Sequence, residues 1–180
     1  MLRMDGHTFP KRKRLPHDIP SWVEPGTVYF LTICTEPRGV NQLCHPSTAT
    51  KLWQSVLVRI DMKQWWPRLF LLMPDHVHAL VSFHPGVGMR RLLSAWKRFT
   101  AHSYGIRWQR DFFDHRLRDD ESFEEKAYYI RENPVRANLI QTAEEWPHVW
   151  TADGALGESA LPTRAPNLTG MDRSQNGPYL

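Results

Sequence analysis

Short β-branched and aromatic stretches alternate along the middle of the chain with stretches whose large apolar residues recur every three or four positions. Residues 28–35 (VYFLTICT) follow the turn signal Pro25-Gly26 and predict a strand. Residues 47–59 suit a helix, with Ser47 or Thr48 as cap and Leu52, Val56 and Ile60 spaced by four. The apolar run 68–73, the break at Pro74-Asp75 and the bulky residues of 76–83 read as a β-hairpin. Past Pro85-Gly86-Val87-Gly88, the residues Met89, Leu92, Leu93, Trp96, Phe99 and Tyr104 keep a helical period, with Arg90, Arg91, Lys97 and Arg98 on the remaining surface. Residues 112–118 predict a short strand. Ser122 and Glu125 match a capping box that starts a helix at Phe123, and Pro134 should end or kink it at Asn133. The order β-α-β-β-α-β plus one further helix predicts an α+β sandwich of ferredoxin-like type, with an antiparallel sheet and helices on one face.

Composition changes the picture mainly at the two ends. Residues 1–20 carry Lys11-Arg12-Lys13-Arg14 among three prolines and read as a basic arm, residues 21–150 as the domain. Residues 151–180, rich in Gly, Pro, Ser and Asn, read as a flexible tail. The longest apolar run, residues 69–73, is far short of the ~20 residues of a spanning helix. The amino terminus lacks the apolar stretch of a secretory signal, so a cytoplasmic location is expected. Cys34 and Cys44 are too few for a disulfide framework or a Cys-based zinc site.

The formal net charge is +4, unevenly spread: residues 87–118 hold eight basic and two acidic side chains, a net +6. A polyanion partner fits that segment, and so does a solvated basic face.

Candidate chemistry starts with His76 and His78. Flanking Val77 on a strand, both imidazoles leave the same face and together can grip one divalent ion. The pattern alone is weak; two half-exposed strand histidines are the commoner case. Tyr129 precedes the Asn133-Pro134 break by one turn, so Tyr129 and Asn133 share a helix face. A phenol is a poor nucleophile near its usual pKa of about 10, and a nearby metal improves it. If Tyr129 is functional, Tyr128 takes the role of packed aromatic. Asn133 reads equally well as a ligand or as the N-cap of a helix running through Leu139, with Pro134 at its first position. His115 is a further candidate ligand or phosphate contact, with Asp114 to orient it, although a solvent-facing histidine is the commoner case. One or two of Trp22, Trp65, Trp66, Trp108, Trp146 and Trp150 are available to stack on unpaired bases.

Three segments in order, residues 72–78 (LMPDHVH), 113–115 (FDH) and 129–137 (YIRENPVRA), resemble the single-tyrosine HUH transposases. They look most like the REP-associated tyrosine transposases, from about Leu15 to Trp150. The resemblance implies a ferredoxin-like core of HUH type, with His76, His78 and Asn133 holding Mg²⁺ or Mn²⁺ and Tyr129 attacking single-stranded DNA. The products would be a free 3′-hydroxyl and a covalent 5′-phosphotyrosine. The implied partner is single-stranded DNA folded into hairpins at REP-like palindromes, bound by a monomer or homodimer. Arg90, Arg91, Lys97, Arg98, His115 and Arg116 are the expected DNA contacts. Some relatives use Gln where this chain has the shorter Asn133. Two alternatives stay open: a hairpin-binding protein that no longer cuts, and a metal-dependent phosphodiesterase using water.

Overall fold

The computed structural model describes residues 23–118 and 122–151. The elements run β1 (Val28–Cys34), α1 (Pro46–Asp61), β2 (Trp65–Met73), β3 (His76–Phe83), α2 (Met89–Tyr104), β4 (Phe113–Arg116), α3 (Phe123–Arg131), the single turn α4 (Asn133–Arg136) and β5 (Val149–Thr151). The sheet order is β4-β1-β3-β2-β5, and every pair is antiparallel. Without β5 this is the ferredoxin-like β-α-β-β-α-β arrangement that the pattern predicts. No described helix is long and apolar enough to cross a membrane. The expected basic arm and all of the tail except Thr151 lie outside the described residues.

Met73 pairs with His76, so Pro74 and Asp75 alone make the β2–β3 turn. β2 begins three residues before the apolar run, and its register shifts between Pro67 and Leu69. Proline has no amide hydrogen for a ladder, and Pro67 lies before the stretch of β2 that β5 pairs. α1 begins at Pro46, not at a Ser47 or Thr48 cap; His45 is the N-cap and contributes no side-chain bond. Proline supplies the fixed φ of a first turn, whose amide would have no helical partner anyway. α2 ends on Gly105, whose φ of 72° is the left-handed conformation that glycine adopts without strain.

The core lies between the sheet and the α1/α2 layer. Leu31, Ile33, Phe70, Ala79 and Val81 line a small gap together with Leu93 of α2, and Trp65 Nε1 donates to the Val56 carbonyl of α1 at 3.2 Å. Trp96 Nε1 donates to Ser55 Oγ at 2.8 Å, joining the two helices. β5 was not legible as a strand; Trp150 brings it in by stacking on Trp53 at 4.9 Å. Helices on one face describes only α1 and α2. α3 covers the opposite face, where Tyr129 meets Phe30 of β1 at 6.5 Å, and Ala127 and Ile130 are buried. A third helix of this size has its own apolar stripe to bury, and the second face of the sheet is where the surface remains.

Candidate metal and nucleophile site

The face under α3 collects the predicted site residues through strand register. Thr32 pairs with His78 and Cys34 with His76, while Phe30 pairs with Leu80 on β3 and with His115 on β4. Directly opposed residues point the same way, so His76, His78, Phe30, Thr32 and His115 share one face. The two imidazoles lie edge to face, with ring centroids 4.7 Å apart.

Each ring is held through Nδ1. His76 Nδ1 donates to Asp75 Oδ1 at 2.6 Å. Asp75 in turn accepts from Arg38 Nε and from the Gly39 amide, both at 2.7 Å. Burial by itself would raise the Asp75 pKa. The bonds from His76, Gly39 and Arg38, with the charge of His76, outweigh it and hold the carboxyl well below the usual range. His78 Nδ1 shares a 3.0 Å hydrogen bond with Thr32 Oγ1. Burial pushes the His78 pKa well down, and the charges of His76, Arg38 and Arg136 act in the same direction against a nearby Leu31 carbonyl. His78 is therefore a neutral imidazole at neutral pH. Both Nε2 atoms are left without a hydrogen bond among the described residues, the state in which imidazole ligates a metal.

Tyr129 reaches this face through Phe30. The Phe30 ring stacks on His78 at 5.5 Å and meets the Tyr129 ring at 88°. Ser122 caps α3, its Oγ accepting from the Glu125 amide at 3.2 Å, which is the N-cap half of the predicted box. Tyr128, expected to be the packed aromatic if Tyr129 functions, is 68% exposed. The half-buried Tyr129 is the one whose ring meets Phe30, the residue stacked on His78.

Asn133 does not serve as an N-cap, and the next helix stops at Arg136 rather than Leu139. Pro134 has no amide hydrogen to give the Ile130 carbonyl four residues back. The Asn133 side-chain nitrogen supplies that donor, bonding the carbonyls of Ile130 at 3.1 Å and Tyr129 at 3.0 Å. Its amide oxygen is the atom left for a ligand. No group of three His, Cys, Asp or Glu side chains gathers for a metal among the described residues. A site built on His76 and His78 would thus need a donor of another type, and Asn133 on the Tyr129 helix has one. The donor set fits a small divalent cation.

The expected DNA contacts separate. His115 lies on the site face of β4, and Arg116, paired with Tyr29, on the other face. Arg90, Arg91 and Arg98 are exposed on α2, behind the sheet from the imidazoles. Lys97 is a correction: it is buried, and its ammonium donates to the carbonyls of Gln109 at 2.6 Å, Arg110 at 2.9 Å and Asp111 at 3.4 Å. Four residues after Leu93 and three before Thr100, it belongs to the buried stripe of α2, whereas Phe99 lies off that stripe and is exposed. Trp65, Trp146 and Trp150 are core residues, while Trp66 is partly exposed. Asp75 and Arg136 were in the recognised motifs without a role. The first touches His76, and the second lies over the Tyr129 ring at 4.1 Å.

No family model matches the chain. A REP-associated tyrosine transposase of Escherichia coli is 27% identical over 129 residues, 68% of this chain and 74% of that protein. The chain is similar to the REP-associated tyrosine transposases. A Haemophilus influenzae protein assigned to the same group is 26% identical over 94 residues, and the match spans 43% of this chain and about half, 53%, of that relative. The fold also matches a solved REP-associated tyrosine transposase bound to a REP hairpin, with a TM-score of 0.68 at 17% identity over 94% of this chain and 99% of that one. The last likeness establishes the shared fold.

Proposed function

We propose that the chain is a metal-dependent single-stranded DNA transposase that cuts and rejoins DNA at hairpin-forming palindromic repeats through Tyr129. The observation that carries this reading is the common face: Phe30 is in ring contact with both His78 and Tyr129, although some fifty residues separate the two along the chain. The relatives' REP-associated assignment supports hairpin DNA as the partner.

His76 and His78, through Nε2, and Asn133, through its side-chain oxygen, would hold Mg²⁺ or Mn²⁺. Such a cation supplies Lewis-acid polarisation of the scissile phosphate. Tyr129 Oη loses its proton and forms a bond to phosphorus, while the bond from phosphorus to the 3′-oxygen breaks and that oxygen leaves as a 3′-hydroxyl. The DNA 5′ end then remains on the protein as a phosphotyrosine. Attack by a 3′-hydroxyl on this ester runs the same exchange backward and rejoins DNA. Asp75 keeps the His76 ring oriented with Nε2 free, and Thr32 does so for His78. His115 on the site face and the exposed arginines of α2 would contact strand and hairpin phosphates.

The test is a labelled single strand carrying a palindromic repeat from the flanks of the gene, incubated with Mn²⁺ and resolved under SDS. Wild type should give a protein–DNA adduct and Tyr129→Phe none, with hairpin binding kept. Cleavage without any adduct would favour water as nucleophile, and binding without cleavage a non-cutting hairpin protein; either result overturns the proposal.

A further inference from the structure

Arg136 makes two contacts with one residue. Its guanidinium carbon stands 4.1 Å from the centre of the Tyr129 ring, and its Nη2 donates to the Tyr129 backbone carbonyl. In an uninterrupted helix, seven residues separate two positions by about 10 Å along the axis. Here α3 closes at Arg131, Glu132 is its cap, and Asn133–Arg136 form a separate turn around Pro134. The Tyr129 carbonyl is thereby open to side-chain donors and receives two, Asn133 and Arg136. The Tyr129 ring also meets Phe30, at 6.5 Å and 88°.

We infer that Arg136 is a positioning residue: it fixes the Tyr129 ring against its own backbone so that the phenol points at the imidazole pair. The planar, always charged guanidinium suits this work. It stacks on an aromatic face while an in-plane N–H reaches a carbonyl, whereas an ammonium offers a point charge without a plane. The role rests on the proposed function of Tyr129 as nucleophile. Near-attack geometry is steep, with a 1 Å misplacement costing on the order of a hundredfold in rate.

Two variants of the full chain test it, Arg136→Met and Arg136→Lys, with the same repeat oligonucleotide and Mn²⁺. Single-turnover adduct formation in Arg136→Met should slow at least about tenfold at saturating DNA, with the half-saturating DNA concentration unchanged, and Arg136→Lys should fall between it and wild type. A second readout needs no activity. With ¹³C-labelled tyrosine, the ring signal assigned by its loss in Tyr129→Phe should shift toward the position of a free tyrosine in Arg136→Met. Unchanged rate and unchanged ring signal would overturn the inference. So would a loss expressed only as a higher half-saturating concentration, which marks a phosphate contact. If Arg136→Met melts early, the lysine variant and the ring signal carry the decision. An adduct that survives Tyr129→Phe refutes the nucleophile assignment instead, separately from these outcomes.

Discussion

Replacing Asp75 with Asn changes one oxygen to nitrogen in a carboxylate that accepts three short bonds, from His76 Nδ1 at 2.6 Å and from Arg38 Nε and Gly39 N at 2.7 Å each. An amide cannot accept all three. With its oxygen toward His76, its NH₂ faces the donors of Arg38 and Gly39. With its oxygen toward those donors, its NH₂ meets His76 Nδ1, which must then give up its proton, so that Nε2 becomes protonated and is lost as a ligand. Loss of such an orienting partner costs about 10–100-fold in metal affinity, roughly 1.4–2.7 kcal/mol. The stability cost should be about 1–3 kcal/mol, since Arg38 is half exposed and water can satisfy its share.

Calorimetric titration with Mn²⁺ reads the first effect, and urea unfolding without metal reads the second. A Mn²⁺ affinity for Asp75→Asn within twofold of wild type would refute the reasoning, because a ring free to choose its tautomer would then ligate as well as a fixed one. The pH sign is defined too. The unfolded carboxyl titrates near 3.9 and the folded one lower, so its stabilisation is fully present above about pH 5. It is lost as pH falls through the folded value.

Two other predictions concern buried groups. Lys97→Met should lower unfolding stability by about 1–3 kcal/mol by stranding the carbonyls of residues 109–111, and leave the salt dependence of DNA binding unchanged. A reduced salt slope with an unchanged melt would return its ammonium to the DNA surface. His148 is fully buried, with neither ring nitrogen hydrogen-bonded, and burial lowers its pKa to about 4. The unfolded chain takes up this proton near pH 6.5, so the folded state loses stability between pH 6.5 and 4 and no further below. Between pH 7 and 5, wild type should lose about 2 kcal/mol more than His148→Phe, and identical losses in urea titrations would contradict the assignment.

The elements legible in the sequence are those whose signals are local. The two-residue turn at Pro74-Asp75, the amphipathic stripe of α2 and the cap at Ser122 each depend on neighbours within a few positions, and each is where the pattern places it. β5 has three residues and no periodicity of its own; stacking of Trp150 on Trp53 fixes it, a contact between residues far apart in the chain. The face that α3 covers is equally non-local, because alternation puts His76 and His78 on one side without saying what packs there. Lys97 was misread because its charge outweighed its spacing from Leu93 and Thr100. Asn133 was legible as a polar group one turn past Tyr129. Its bonds to two helix carbonyls follow from the donor that Pro134 lacks. Arg136 had no local signal, since its stack on Tyr129 depends on the path of the chain around that proline.

On the proposed mechanism Tyr129, and not Tyr128 beside it, attacks DNA next to the imidazole pair. Tryptic digestion of the covalent adduct cuts after Lys126 and Arg131, leaving Tyr128 and Tyr129 on one five-residue peptide that fragmentation mass spectrometry can resolve. The nucleotide should be found on Tyr129, the half-buried ring against Phe30. A nucleotide on the exposed Tyr128, or on any other residue, would contradict it.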